Sequence, residues 1–71
     1  MTKTELVEYI NNNVSDINGK IIVERLDDGR LNFRTLMCTK EHFINLLNNN
    51  FNDTLHGDYG DGVKTTILEI R

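Results

Sequence analysis

Residues 20–38 read KIIVERLDDGRLNFRTLMC, in which two alternating or β-branched runs flank Asp27-Asp28-Gly29. An Asp-Gly turn between such runs is a strong β-hairpin signal. A three-residue loop with Gly29 in the left-handed conformation places Val23 opposite Phe33, whereas a two-residue loop places Glu24 there. We favour the three-residue loop because it separates polar from apolar side chains better.

This register sorts the hairpin side chains into two faces. The apolar face carries Ile21, Val23, Leu31, Phe33 and Met37. The mixed face carries Ile22, Glu24, Asn32, Arg34, Leu36 and Cys38. We expect the apolar face to form the core and the mixed face to remain exposed as a candidate interface; the alternatives are that one helix packs on each face or that the mixed face is ordinary surface. The candidate partner-binding residues of that exposed face are Ile22, Glu24, Arg34 and Leu36.

Two amphipathic helices and a further strand surround the hairpin. Thr2-Lys3-Thr4-Glu5 matches a capping box, so a helix is expected at about residues 3–14. Thr39 is placed to cap a second helix. The expected core-facing side chains of that helix are Phe43, Leu46, Leu47 and Phe51. Residues 63–71 alternate and are rich in Val, Thr and Ile, which is typical of a strand. Its expected core face is Thr66, Leu68 and Ile70.

The resulting element order is α-β-β-α-β. It predicts a single α+β domain over residues 1–71, with a three-stranded antiparallel sheet packed against two helices. A chain of 71 residues buries a modest core, which leaves little room for a deep active site.

Residues 48–62 read NNNFNDTLHGDYGDG, a polar tract rich in Asn, Asp and Gly. We expect a surface loop with little apolar mass, and long loops in small domains often carry function. Its candidate partner-binding residues are Asp53, Asp58, Tyr59 and Asp61.

Catalytic and metal chemistry are not expected. His56, Asp58 and Asp61 do not follow the spacing of a calcium loop, so we predict no metal and no cofactor. Cys38 and His42 lack a third group that would orient them as nucleophile and base, so we predict that the protein is not an enzyme.

The charge balance and the N-terminus restrict the partners. A net charge of −3 opposes direct nucleic-acid binding, because that binding depends on releasing phosphate counterions. The single cysteine and an N-terminus without a basic region or an unbroken apolar run favour a cytoplasmic protein without a membrane partner.

The chain resembles small acidic proteins that phages use to disable host machinery, anti-CRISPR inhibitors among them. The resemblance rests on its size, acidic balance, Asn-rich composition and the acidic tract at residues 52–62. It implies a binder without cofactors that occupies a basic, nucleic-acid-binding surface of a host protein. Two alternatives remain: a regulatory or assembly subunit that forms a homodimer, and a weak nucleic-acid-binding module.

Overall fold

The computed structural model describes residues 1–58 and 62–71 and shows an α+β fold with two helices and one antiparallel sheet. In chain order the elements are α1 (Lys3–Asn13), β1 (Ile21–Leu26), β2 (Leu31–Thr35), α2 (Lys40–Asn50), β3 (His56–Asp58) and β4 (Lys64–Ile70). The strand order is β2-β1-β4-β3. The sheet therefore has four strands, and the prediction of three is wrong because β3 lies inside the tract expected to be a loop.

Both helices begin at the predicted caps. The Thr2 hydroxyl accepts a hydrogen bond from the Glu5 backbone N–H at 3.2 Å, and the Glu5 carboxylate accepts one from the Thr2 N–H at 3.1 Å. The Thr39 hydroxyl likewise accepts from the His42 N–H at 3.1 Å. These side chains satisfy amides that the first helical turn leaves without partners, which confirms both predicted helix starts.

The predicted hairpin register is also confirmed. Val23 lies opposite Phe33 and Ile21 lies opposite Thr35 in the β1–β2 ladder. Gly29 has a φ of +90°, a conformation that L side chains rarely adopt.

The predicted assignment of the two faces is wrong. The helices cover the face that carries Ile22, Glu24 and Leu36, and all three side chains are buried. We call this side of the sheet the core face, and its members include Ile22, Glu24, Asn32, Arg34, Leu36 and Ile67. The opposite side is the outer face, and its members include Ile21, Val23, Arg25, Leu31, Phe33 and Glu69. No described element covers the outer face.

The core is built from both helices, the core face and the tract after α2. Its buried members are Leu6, Ile10, Val14, Ile17, Ile22, Leu36, Phe43, Leu47, Phe51, Leu55 and Ile67. The predicted core-facing side of α2 is confirmed at Phe43 and Leu47, which are fully buried. Burying this apolar surface is the main source of stability in so small a domain.

A bulge in β4 explains why its core face was predicted incorrectly. Val23 lies opposite Glu69, whereas the next residue, Glu24, lies opposite Ile67, so Leu68 is the extra residue. An extra residue exchanges the faces of all later side chains. Ile67 is buried, Leu68 is exposed, and Ile70 returns to pack partly against the core as predicted.

The acidic tract contributes more to the fold than expected. Leu55 is buried in the core although its φ is +63°, a conformation uncommon for a non-glycine residue. The Asn52 carboxamide oxygen accepts from the Thr54 backbone N–H at 2.9 Å, which holds the turn. Gly57 bridges to Phe51. The expectation that this tract adds almost nothing to the core is therefore wrong for Leu55.

Candidate functional site

The outer face presents its side chains in three cross-strand rows over β2, β1 and β4. The rows are Leu31–Arg25–Thr66, Phe33–Val23–Glu69 and Thr35–Ile21–Arg71. We call Ile21, Val23, Leu31 and Phe33 the apolar stripe. Polar and charged side chains flank it on β4 and at Arg25.

The middle row forms a packed cluster on a face that lacks a covering layer. Val23 is only 3% exposed, whereas its cross-strand neighbour Phe33 is 56% exposed. The Arg71 guanidinium lies 5.9 Å from the centre of the Phe33 ring, a cation–π distance. Arg71 also pairs with the Glu69 carboxylate at 2.8 Å. These contacts favour one ring position, so less side-chain entropy is lost when a partner covers it.

Large apolar side chains lie exposed on and beside this face. They are Ile21, Leu31, Phe33, Met37 and Leu68. Single exposed apolar residues are ordinary, but neighbouring ones that share a face form a patch, and such patches often mark interaction sites. Three of these side chains, Ile21, Leu31 and Phe33, belong to the apolar stripe. Met37 and Leu68 lie beside it, because Met37 follows β2 and Leu68 is the bulge residue of β4.

On the core face, a buried carboxylate is paired with a half-buried arginine. Glu24 is 0% exposed, and its Oε1 lies 3.3 Å from the Arg34 Nε and accepts from the Asn32 amide at 3.1 Å. Its Oε2 and the Thr65 hydroxyl have no hydrogen-bond partner among the described residues. A buried carboxylate is costly unless a cation and hydrogen bonds compensate it, and Arg34 supplies that cation. The Glu24 carboxylate supports the fold and is not accessible to a ligand.

An open cleft of about 530 Å³ lies between the end of α2 and β3. Its lining residues are Asn49, Asn50, Phe51, Asn52, His56, Gly57, Asp58 and Lys64. A methyl group at Gly57 would overlap the Asn50 backbone carbonyl, so only glycine fits where these segments meet. Within the described part of the chain, no three His, Cys, Asp or Glu side chains are grouped to hold a metal ion.

The structure divides the predicted partner-binding residues into separate places. Ile22, Glu24 and Leu36 are buried, so the prediction that they are exposed is wrong. Arg34 is half-buried beside Glu24.

In the acidic tract, Asp53 and Asp58 are exposed. The Asp53 carbonyl accepts from the Lys3 N–H at 2.9 Å, which ties the tract to the start of α1. Asp58 lies opposite Lys64 in the β3–β4 ladder. The remaining two candidates, Tyr59 and Asp61, lie outside the described residues.

The outer-face residues were missed because they were assigned to the core. The sequence does contain a signal for the correct assignment. Glu24 and Arg34 carry opposite charges and lie diagonally across the hairpin on one face, so they can neutralise each other when buried. A face with such a pair is a better candidate for burial than its composition suggests.

Comparison of the chain with protein-family models, with curated proteins and with solved structures finds no match. Neither helix in residues 1–58 and 62–71 is long and apolar enough to cross a membrane.

Proposed function

We propose that this chain is a small protein-binding module that acts without catalysis, and that the outer face contacts its partner. One observation carries the proposal: Leu31 and Phe33 stay 55% and 56% exposed on a sheet face that no described element covers. Aromatic side chains are enriched among the residues that dominate binding energy, especially where neighbouring contacts exclude water. Phe33 lies beside buried Val23 and Arg71, so a partner that covers its exposed side would complete such an environment.

The charges around the apolar stripe suit a protein partner with a mixed polar rim. Arg25 and Arg71 are positive, and Glu69 is negative and already paired with Arg71. Protein interfaces commonly combine an apolar centre with such a rim. The rim would direct orientation, while Phe33 and Leu31 would supply most of the buried apolar area.

A second candidate is an inhibitor of the phage or mobile-element kind that occupies a basic, nucleic-acid-binding surface of a host protein. The net charge of −3 and the exposed carboxylates of Asp53 and Asp58 support it. In this case the acidic tract would accelerate association by electrostatic steering, an effect that salt weakens.

The two candidates are separable by binding kinetics on a partner captured from the host and then purified. If the outer face binds, Phe33→Asp weakens affinity by at least about thirtyfold, mainly through faster dissociation, as loss of a central aromatic contact does. Asp53→Lys with Asp58→Lys then changes affinity by less than about threefold, a size typical of rim charges.

The acidic-tract candidate predicts the reverse pattern. Asp53→Lys with Asp58→Lys would slow association at low salt, and the effect would shrink near about 0.5 M salt. Glu8→Lys with Glu41→Lys is the matched control. It changes the net charge by the same amount as the Asp53 and Asp58 variant, but the changes lie on the two helices and not in the acidic tract. Wild-type kinetics for Phe33→Asp would remove the outer face as the binding surface.

A further inference from the structure

The two edges of the sheet differ in how well they are protected. β3 has three residues, and its Gly57 bridges to Phe51 beyond the edge. β2 has five residues, and no described element runs along its free side. Proteins usually block an exposed edge with charged side chains, Pro or a bulge. Leu31–Thr35 contains no Pro, Lys or bulge, and its one charged residue, Arg34, is paired with Glu24.

The alternation of backbone hydrogen bonds between β1 and β2 shows which N–H and C=O groups of β2 point away from β1. The Leu36 N–H donates to the Lys20 carbonyl at 2.8 Å, and the Leu26 N–H donates to the Arg30 carbonyl at 2.8 Å. Hydrogen-bonded and non-hydrogen-bonded pairs alternate along an antiparallel ladder, so the backbone groups of the even-numbered residues of β2 bond to β1. The backbone N–H and C=O groups of the odd-numbered residues therefore point to the free edge. These residues are Leu31, Phe33 and Thr35.

We propose that β2 pairs antiparallel with β2 of a second copy of this chain, about a twofold axis at Phe33. This goes beyond the outer-face proposal, because the contact is the sheet edge and the partner is the chain itself. Leu31 would lie opposite the partner's Thr35, and Phe33 opposite the partner's Phe33. All outward groups of the strand would then be paired, giving about six backbone hydrogen bonds and one eight-stranded sheet.

The side chains of β2 are complementary to themselves in this register. On the outer face the two Phe33 rings meet, and aromatic cross-strand pairs stabilise antiparallel sheets. On the core face Arg34 lies opposite the partner's Asn32, whose amide oxygen accepts hydrogen bonds. Arg34 is the only charged residue of β2 and is already paired with Glu24 in its own chain. No like charges are therefore directly opposed, which favours a second copy as the occupant.

Backbone amide exchange tests the pairing directly on the wild-type protein. At about 0.5 mM we expect the amides of Leu31, Phe33 and Thr35 to exchange at least tenfold more slowly than at about 10 µM. The amides of Asn32 and Arg34 bond to β1 and stay protected at both concentrations, so they serve as internal controls. Sedimentation velocity should show a dimer at the higher concentration.

Thr35→Pro and Thr35→Ala form a matched pair of variants. Proline removes an outward N–H and no bond to β1, and sheet edges tolerate it at such positions. We expect Thr35→Pro to weaken dimerisation at least thirtyfold with unchanged circular dichroism, and Thr35→Ala to retain the dimer. If Thr35→Pro fails to fold, the wild-type exchange comparison alone decides. A monomer at 0.5 mM, or a dimer whose three outward amides exchange as fast as in the monomer, overturns the proposal.

Discussion

The two faces of this sheet show that the more apolar face need not be the buried one. The core face contains Glu24 and Arg34, yet it lies under both helices, because the half-buried Arg34 neutralises the buried Glu24 carboxylate. The outer face is richer in large apolar side chains and remains uncovered by any described element. A carboxylate neutralised by a neighbouring arginine can enter a core, and the apolar face of the same sheet then stays uncovered.

Among side-chain truncations, the largest expected contrast compares one leucine on each face near β2. Leu36→Ala should destabilise the fold by about 2–5 kcal/mol, because it removes a buried side chain and leaves a cavity. Leu31→Ala should cost less than about 1 kcal/mol, because that side chain is already largely solvated. Urea unfolding measures both values. Equal losses would mean that the outer face is covered.

The second contrast compares two Arg–Glu pairs. Arg34→Ala should cost about 3 kcal/mol, because it leaves the buried Glu24 carboxylate without its cation. Arg71→Ala breaks an exposed pair with Glu69 and should cost about 1 kcal/mol or less. Thermal unfolding at neutral pH checks both variants. A mild effect of Arg34→Ala would show that Glu24 reaches solvent or another partner.

Much of the local structure could be predicted from the sequence, because each signal lies within a few residues. The Thr2 and Thr39 caps, the Gly29 turn and the hairpin register depend on short-range chemistry, and all are confirmed. The buried face could not be predicted by counting apolar residues. That choice depends on which side the helices pack and on the Glu24–Arg34 pair, which is a tertiary contact.

The third prediction sharpens the comparison of the sheet edges. Gly57→Ala should cost about 1–3 kcal/mol, because the added methyl group overlaps the Asn50 carbonyl and forces α2 and β3 apart. In a domain of this size that corresponds to a fall in Tm of several degrees, on the order of 4–8 °C per kcal/mol. An unchanged Tm would show that the β3 edge is looser than the structure indicates.

The smallest expected effect concerns the cap of α1. The hydrogen bond from the Thr2 backbone N–H holds the pKa of Glu5 below its ordinary value, and the Thr2 side-chain contact lowers it further. The folded state therefore favours the ionised carboxylate. This contribution to stability is present above the ordinary pKa and disappears as the pH falls through the lowered one.

Replacing the carboxylate tests this linkage. On acidification, Glu5→Gln should lose slightly less unfolding free energy than the wild type does. The difference is small because the Glu5 side chain is exposed. Urea unfolding midpoints measured across the acidic range provide the comparison. Identical pH profiles for the variant and the wild type would contradict a role for the Glu5 charge.

The candidate site was harder to predict than the fold. Asp53 and Asp58 are exposed as expected, and their role in binding stays a prediction. Leu55 could not be identified as a core residue, because its burial requires a positive φ within an otherwise polar tract. The β4 bulge at Leu68 leaves no periodic signal, so alternation placed Leu68 on the wrong side.

The opposite burial of the neighbours Ile21 and Ile22 tests most directly which face of the sheet the helices cover. The measurement is the urea unfolding curve of Ile22→Asp beside that of Ile21→Asp. We predict that Ile22→Asp abolishes cooperative unfolding, because it places an unpaired carboxylate in the core, and that Ile21→Asp unfolds cooperatively with a midpoint near wild type. A native-like Ile22→Asp with an unfolded Ile21→Asp would show that the helices cover the other face.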